Sequence, residues 1–258
     1  MGRLIQELAY SVIREDWPKL TEKRILDVGA GHGELAQKLA LCEAKVTALD
    51  FKPSNAPVGK VKCVCHDLNQ ATLPFETASF DILVSTEVLE HLKAPFCILT
   101  EMVRVLKPGG MLVLTMPNYW NIKYRIKYLL TGHFQRPIMD DPSAKRGYLT
   151  GTAPHINSIT YSTLRAVLMW EGCDNFSLRA ARVFNWGQRI GYLPFLLLIR
   201  LSTCFRSKTK RLQYCLNEIN GRAALLGRSN VLIRCFKQTA EYSDREVKHN
   251  LRDTIAVS

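Results

Sequence analysis

A doubly wound α/β sheet, mostly parallel and of seven strands, is the fold class this sequence predicts, and three observations predict it. The first is Arg24 to Ala40, Arg-Ile-Leu-Asp-Val-Gly-Ala-Gly-His-Gly-Glu-Leu-Ala-Gln-Lys-Leu-Ala. There a short apolar run, Ile25 to Val28, meets Gly29, Gly31 and Gly33, and Leu35, Ala36, Leu39 and Ala40 follow at helical spacing. The second is Lys45 to Asp50, a further strand pattern ending in an acid 17 residues beyond Gly33. The third is the turn Leu106-Lys107-Pro108-Gly109-Gly110 leading into the apolar run Met111 to Met116, after which strand and helix patterns continue to Lys237.

The 258 residues are 47% apolar, enough for one substantial domain with a full core. The expected organisation is a covering helix over 1–22, one domain over 23–240 and a charged tail over 241–258. The N-terminal stretch mixes Arg3, Glu7, Arg14, Glu15, Asp16 and Lys19 with its apolar residues, so it lacks the uncharged core of a signal peptide. Eight cysteines are scattered, and the spaced pair Cys63 and Cys65 alternates within a strand, which suggests neither a zinc site nor a disulfide framework. A reducing, cytoplasmic setting fits that usage. The net charge of +12 is concentrated: from Trp186 to Lys237 ten Lys or Arg stand against a single acid, Glu218. Such a segment either faces an anionic partner or forms a solvated face.

Glycines in the first loop let the main chain approach a ligand, because a Cβ would hold it away and would resist positive φ. Dinucleotide folds use similar glycines, but here the spacing is Gly-x-Gly-x-Gly, and Asp27 ends the strand where a pyrophosphate would approach a helix N-terminus. A carboxylate there repels phosphate and attracts a cation. At this point the chain resembles the class I S-adenosylmethionine-dependent methyltransferases, within the group acting on small molecules, lipids and sugars. The resemblance is strong from Lys23 to Asn118 and weaker to the last strand. It implies a Rossmann-like sheet and S-adenosyl-L-methionine as cofactor, held by Asp27, Gly29, Gly31, Gly33 and Asp50. An acid at a strand's carboxyl end can accept both ribose hydroxyls, so Asp50 is the expected ribose ligand; an ordinary polar strand terminus is the alternative. Phe51 packs on the adenine or in the core.

Val61 to Val64 reads as the third strand. The resemblance then assigns Asp67, with the amide of Leu68, to the adenine amino group, although Asp before Leu-Asn is also a common turn. Ser79 to Ser85 is the fourth strand, and Thr86 to Leu92 is expected to begin a helix at its carboxyl end, the edge where open parallel sheets bind ligands. On such a helix Glu87, Glu90 and His91 stand at i, i+3 and i+4 and share a face. They resemble the Glu-x-x-Glu-His metal motif of ubiquinone-pathway O-methyltransferases and of RNA 3′-terminal 2′-O-methyltransferases. Many related enzymes carry that motif without metal, and acids near a helix N-terminus are favourable by the dipole alone, so no metal is the leading expectation.

Helix is expected to continue from Glu101 to Leu106, where Pro108 and the glycines make a turn before the fifth strand, Met111 to Met116. The following segment, 119–160, is expected to be an acceptor lid and loop. Tyr119, Trp120, Tyr124 and Tyr128 lie on its aromatic, basic helix and line either an acceptor pocket or a core. Thr131 to Ser158 carries Gly132, Pro137, Pro142, Gly147, Gly151 and Pro154 and reads as a long loop. His155 is the first candidate for a general base and His91 the second, since imidazole suits removal of a hydroxyl proton near neutral pH; capping or packing is the alternative for His155. Tyr161 to Glu171 reads as a helix, Phe176 to Val183 as strand six and Asn230 to Lys237 as strand seven. The last two are usually joined directly in this fold, whereas here the 46 residues of 184–229 intervene.

Within that insertion Leu193 to Ile199 is far shorter than the roughly 18 residues a bilayer span needs. Followed by Arg200, Arg206, Lys208, Lys210 and Arg211, it is either an interfacial helix for an anionic membrane surface or a buried helix with a solvated tail. The expected function is O-methylation of a small-molecule, sugar or lipid-linked cell-envelope acceptor by a cytoplasmic enzyme that docks peripherally on the membrane. Two alternatives stand beside it: a metal-dependent RNA 2′-O-methyltransferase, and a non-catalytic scaffold that keeps the cofactor fold.

Overall fold

The computed structural model describes residues 2–52, 61–70, 72–134 and 155–239. The expected tail, 241–258, and most of the expected long loop, 135–154, lie outside the described residues. Seven strands form one sheet: β1 (Arg24–Val28), β2 (Lys45–Asp50), β3 (Lys62–Cys65), β4 (Phe80–Thr86), β5 (Leu106–Pro117), β6 (Cys173–Ala180) and β7 (Asn230–Lys237). Their order is β3-β2-β1-β4-β5-β7-β6. The first five pair in parallel, and β7 pairs antiparallel with both β5 and β6. The chain leaves β1 for β2 on one side and returns to β4 on the other, so the strand order reverses beside β1. Ligand crevices of open parallel sheets form at the carboxyl ends of the strands next to such a reversal.

Alternation along the strands fills both faces. Ile25, Val46, Ile82 and Val113 join a core beneath the helices α1 (Gly2–Asp16) and α2 (Glu34–Ala40). Leu26, Leu83 and Leu112 face the opposite core, with α3 (Pro95–Val105) and α5 (Tyr161–Trp170). Period-two alternation in a sheet covered on both sides sends the residues of the central strands to one core layer or the other, while β3 at the edge stays largely exposed. Helix α1 buries Ile5, Ala9, Val12 and Ile13. Its last turn is held by Arg179 Nη1, which donates to Glu15 Oε1 at 2.9 Å, and by Asp16 beside Arg234 at 3.4 Å.

Four expectations about elements need correction. No helix spans Thr86 to Leu92: β4 continues through Thr86, Glu87 is left-handed at φ 57°, and only a 3-10 turn, Leu89–His91, precedes α3. The Glu87 amide is drawn onto β5, donating to Thr115 O at 3.2 Å and Thr115 Oγ1 at 3.1 Å, and Pro95 then opens the helix. The expected turn at Lys107 to Gly110 is instead a bulge inside β5, where Phe80 pairs with Leu106 and Ile82 with Met111. A Cβ on Gly110 would come within 2.9 Å of the Asp81 carbonyl, so strand pairing there requires glycine.

Strand β6 begins at Cys173 rather than Phe176, because left-handed Gly172 ends α5 and Cys173 pairs at once with Lys237. Helix α4 (Ile122–Thr131) starts later than Tyr119, where Asn121 caps it by accepting the Tyr124 amide at 3.0 Å.

The insertion folds into α6 (Trp186–Gly191), α7 (Leu193–Cys204), α8 (Lys208–Gln213), α9 (Leu216–Ile219) and α10 (Arg222–Leu226). It is anchored by Phe184, Leu225 and Ile122, against which Tyr192, Leu196 and Ile199 pack. Arg125 of α4 donates to Trp120 O and to Asn220 Oδ1, both at 2.6 Å, tying the insertion to the segment after β5. Ile190 of α6 stays exposed, as do Leu197, Leu198 and Leu201 of α7 and Phe205 just after it, the last four at i, i+1, i+4 and i+8 along one outward side. Among the described residues no helix is long and apolar enough to cross a membrane.

Candidate active site

Two clusters meet the carboxyl edge of the sheet. The first is the glycine loop between β1 and α2. Gly29 and Ala30 donate their amides to Leu49 O at 2.8 and 3.1 Å, binding the loop to the end of β2. Gly31, at φ 55°, has nothing within 4 Å of where a Cβ would stand, so its main chain is open to a ligand. Gly29 has another job: a Cβ there would collide with Val88 Cγ2, and the missing side chain makes room for the segment after β4. Gly33, at φ 74°, is the left-handed N-cap of α2.

Asp50 receives the Gly31 amide on Oδ2 at 2.9 Å and the Lys52 amide on Oδ1 at 3.0 Å. Each carboxylate oxygen keeps a second lone pair, which is what two ribose hydroxyls would use. Asp27 is 2% exposed, and its Oδ1 has no hydrogen-bond partner among the described residues. Burial, with the neighbouring Asp50 charge second, pushes its carboxyl up to about 7. An orphaned buried carboxylate oxygen beside a second acid and an open glycine backbone fits a cationic nucleoside such as S-adenosylmethionine.

Phe51 is 48% exposed, which removes the core alternative for it. Asp67 follows β3, whose Cys65 pairs with Asp50, and its Oδ1 accepts the Asn69 amide at 2.9 Å, while Leu68 is buried.

The second cluster joins residues that the sequence separates. The amides of Ile156 and Asn157 donate to Glu90 O at 2.9 and 3.1 Å, and Asn157 Nδ2 donates to Leu92 O. This pins the segment beginning at His155 onto the 3-10 turn, and the His91 and His155 rings meet edge-on with centroids 4.9 Å apart. Ligand atoms of Glu90, His91 and His155 all lie within 4.8 Å of one another. Glu90 is 1% exposed; neither of its oxygens, nor His91 Nδ1, has a hydrogen-bond partner among the described residues. Burial first, and the Glu87 charge second, push the Glu90 carboxyl up to about 8. Burial first, and His91 second, lower the His155 pKa from its ordinary value, which favours the neutral imidazole.

Glu87 does not join this trio. Without the helix it turns toward β5 and β7, accepting Thr115 Oγ1 at 3.2 Å and Asn230 Nδ2, and burial pushes it up to about 7. The face shared by Glu87, Glu90 and His91, the alternative to the expected absence of metal, is therefore not formed, and the residues that converge are Glu90, His91 and His155. Orphaned carboxylate oxygens among two imidazoles suit a divalent ion as a donor set.

Tyr119, buried, has its hydroxyl 2.9 Å from His155 Nδ1 and orients that ring. Trp120 packs edge-on against Tyr161 at 5.9 Å and is core. Tyr128 stacks on Phe134 at 4.3 Å. Tyr119, Asn157 and Asn230 were missed as positioning residues, and only Tyr119 had a local signal, its aromatic neighbourhood.

Residues 26–114 match the family described as Methyltransferase domain. The ubiquinone biosynthesis O-methyltransferase of Xanthomonas oryzae pv. oryzae (strain PXO99A) is 34% identical over 111 residues, covering 38% of this chain and 45% of that protein. The one from Cereibacter sphaeroides (strain KD131) is 33% identical over 102 residues, covering 37% and 41%. The chain thus spans less than half the length of these curated relatives. An S-adenosylmethionine-dependent methyltransferase structure from Archaeoglobus fulgidus superposes with a TM-score of 0.57 at 17% identity, covering 90% of this chain and 94% of that one. Another from Mesorhizobium loti gives 0.53 at 16% identity, covering 88% and 97%. The fold is thus that of these S-adenosylmethionine-dependent methyltransferase structures, and the matched residues 26–114 lie within the segment from β1 to β5.

Proposed function

We propose that this protein transfers the methyl group of S-adenosylmethionine to a hydroxyl of a small-molecule, sugar or lipid-linked acceptor. The observation that carries the reading is the cluster of buried Glu90 with half-buried His91 and His155 at the sheet edge that also presents Gly31 and Asp50. The similarity to ubiquinone biosynthesis O-methyltransferases supports an oxygen acceptor.

The sulfonium methyl is already activated, so the protein's tasks are alignment of the acceptor, exclusion of water and removal of one proton. Asp50 and Gly31 hold the nucleoside, and Asp27 faces its cationic end. His155 takes the acceptor proton on Nε2 if its Nδ1–H donates to the Tyr119 oxygen, a tautomer assigned from that contact. Burial raises Tyr119 far above neutrality, so its hydroxyl stays protonated. In the other role open to the cluster, Glu90, His91 and His155 would together hold a divalent cation, His155 then serving as a ligand and not as the base, and the ion when bound would supply Lewis acidity toward an acceptor oxygen.

Cofactor titration tests the reading through pH. The ionised form of Asp27 is the one that attracts a cation, and its carboxyl stands near 7 rather than the ordinary 3.8. S-adenosylmethionine affinity should therefore rise about tenfold from pH 6 to pH 8, and Asp27→Asn should flatten that rise. Without ligand, the same raised carboxyl favours folding at low pH and loses that contribution as pH rises through about 7. Calorimetry showing pH-independent binding would remove Asp27 from the cationic end.

The insertion supports peripheral docking on an anionic membrane. Five basic residues from Arg200 to Arg211 flank the exposed apolar stripe of α7, and each basic residue near an anionic surface adds about 1 kcal/mol. Leu196 and Ile199 pack inward, so the surface face is Leu197, Leu198 and Leu201. The protein should float with anionic vesicles at low salt and less with neutral ones, and a variant with these three leucines changed to Ser should lose flotation while still binding cofactor. A wild-type protein left in the soluble fraction with anionic vesicles ends this part of the reading.

A further inference from the structure

A cavity of about 650 Å³ opens between the first turn of α1, the segment after β6 and the start of β7. Its lining includes Arg3, Arg182 and Arg228, with Ser229 and Asn230. The one acid among the described lining residues, Glu7, is engaged by Lys38. None of the three guanidinium groups has an ion-pair or hydrogen-bond partner among the described residues, although the backbones of Arg182 and Arg228 are joined by the Arg228 amide donating to Arg182 O at 2.8 Å. That bond, with the adjoining bridge between Val183 and Gly227, holds the bases of two of the arginine side chains together across two strands of chain.

The cavity's position links it to the chemistry. Asn230 pairs with Pro117, the last residue of β5, and so marks the carboxyl edge of the sheet. Its Nδ2 donates to the Glu87 carboxylate, and Thr115 of β5 touches the other oxygen of that carboxylate. The wall of the cavity is thus one side chain away from the segment that carries Glu90 and His91. Helix α1, held at its far end by Arg179 and Arg234, brings its first turn and Arg3 to this edge.

We propose that this cavity binds a phosphoryl group, a phosphate monoester or a pyrophosphate, carried by the methyl acceptor. The inference rests on the methyltransferase reading for the word acceptor, but the anion site stands on its own lining. Three unpaired guanidinium groups around one neutralised acid suit a group bearing two or more negative charges better than a single carboxylate, and guanidinium forks match phosphoryl oxygens in pairs. The glycine loop, by contrast, is guarded by Asp27 and Asp50 and repels phosphate. The two anion preferences at one edge would keep the cofactor and the acceptor in separate pockets and set the acceptor's direction of entry.

The experiment titrates phenyl phosphate, inorganic pyrophosphate and benzoate into the full chain by calorimetry, with S-adenosylhomocysteine present. Phenyl phosphate or pyrophosphate should bind more tightly than benzoate. Arg182→Gln with Arg228→Gln should weaken phosphoryl binding at least tenfold, Arg3→Gln should weaken it by a smaller factor, and Arg182→Lys with Arg228→Lys should retain part of it. Arg200→Gln with Arg206→Gln, which removes equal charge from α7 and the residues after it, should leave phosphoryl binding unchanged. No phosphoryl binding by the wild type, a preference for benzoate, or an equal loss in the Arg200 and Arg206 variant overturns the proposal. Failure of S-adenosylhomocysteine to bind, with phosphoryl binding intact, would instead count against the methyltransferase reading and leave the anion site standing.

Discussion

Asp50→Ala should weaken S-adenosylmethionine binding by at least 100-fold, the largest effect expected from any single change in the cofactor cluster. Two contributions add. The carboxylate would lose its bonds to the ribose hydroxyls, and a hydrogen bond to a charged group contributes about 1.5–3 kcal/mol. It would also release the Gly31 and Lys52 amides, which it holds at 2.9 and 3.0 Å, and the loop whose open backbone meets the ligand would lose its anchor. Asp50→Asn keeps one acceptor oxygen and should fall between the two. Calorimetric titration measures both variants. Binding by Asp50→Ala within threefold of wild type would mean that the ribose lies elsewhere, and tight NAD binding without affinity for S-adenosylmethionine would overturn the cofactor assignment as a whole.

Glu90→Gln and His155→Ala should each lower methyl transfer by roughly 10²–10⁴-fold while leaving cofactor affinity nearly unchanged, the range expected when a positioned acid–base group is removed. Both residues belong to the cluster with His91, and the carboxyl of buried Glu90, held up at about 8, is the group whose ionisation a nearby cation would most favour. Manganese binding, followed by its paramagnetic signal, separates two roles for the cluster. If the cluster holds a divalent ion, both variants lose manganese and wild-type turnover stops in EDTA. If His155 acts as a base alone, only its variant shifts the acidic limb of the pH profile, and EDTA changes nothing. The acceptor for these assays comes from following labelled methyl groups into lipid, glycan and RNA fractions. Label in RNA together with EDTA sensitivity favours an RNA 2′-O-methyltransferase. Unchanged turnover in both variants at saturating acceptor would place the reacting centre away from this cluster.

From Arg24 to Asp50 the chain could be read directly, and the reason is physical. A strand that ends in glycines, a helix that follows them and a second strand that ends in an acid are all encoded by neighbours, through side-chain period and permitted φ. Asp50 and Gly31 meet because β1 and β2 pair in register, which their lengths and apolar runs already imply. The exact extent of β7, Asn230 to Lys237, was legible for the same reason.

At the second cluster local pattern had less authority than tertiary contact, although it still placed β4 and α5 to within a residue or so. Glu87, Glu90 and His91 have the spacing of one helix face, yet the amide of Glu87 is captured by Thr115 on β5, and a helix cannot form through a residue paired to a neighbouring strand. His155 reaches Glu90 across 65 positions through two backbone bonds to Glu90 O, and no periodicity reports a contact of that kind. Asn230 meets Glu87 from 143 residues away. Helix α7 is apolar nearly all round, so its sequence carries no direction; Leu196 and Ile199 turn inward only because Phe184, Leu225 and Ile122 offer them a surface. The sequence by itself determined the sheet, the glycine loop and the acid beside it, since each is a local choice. Only the tertiary structure decided which acid stands with the two histidines, which arginines share a cavity and which leucines face solvent, because each of those depends on surfaces brought together from distant parts of the chain.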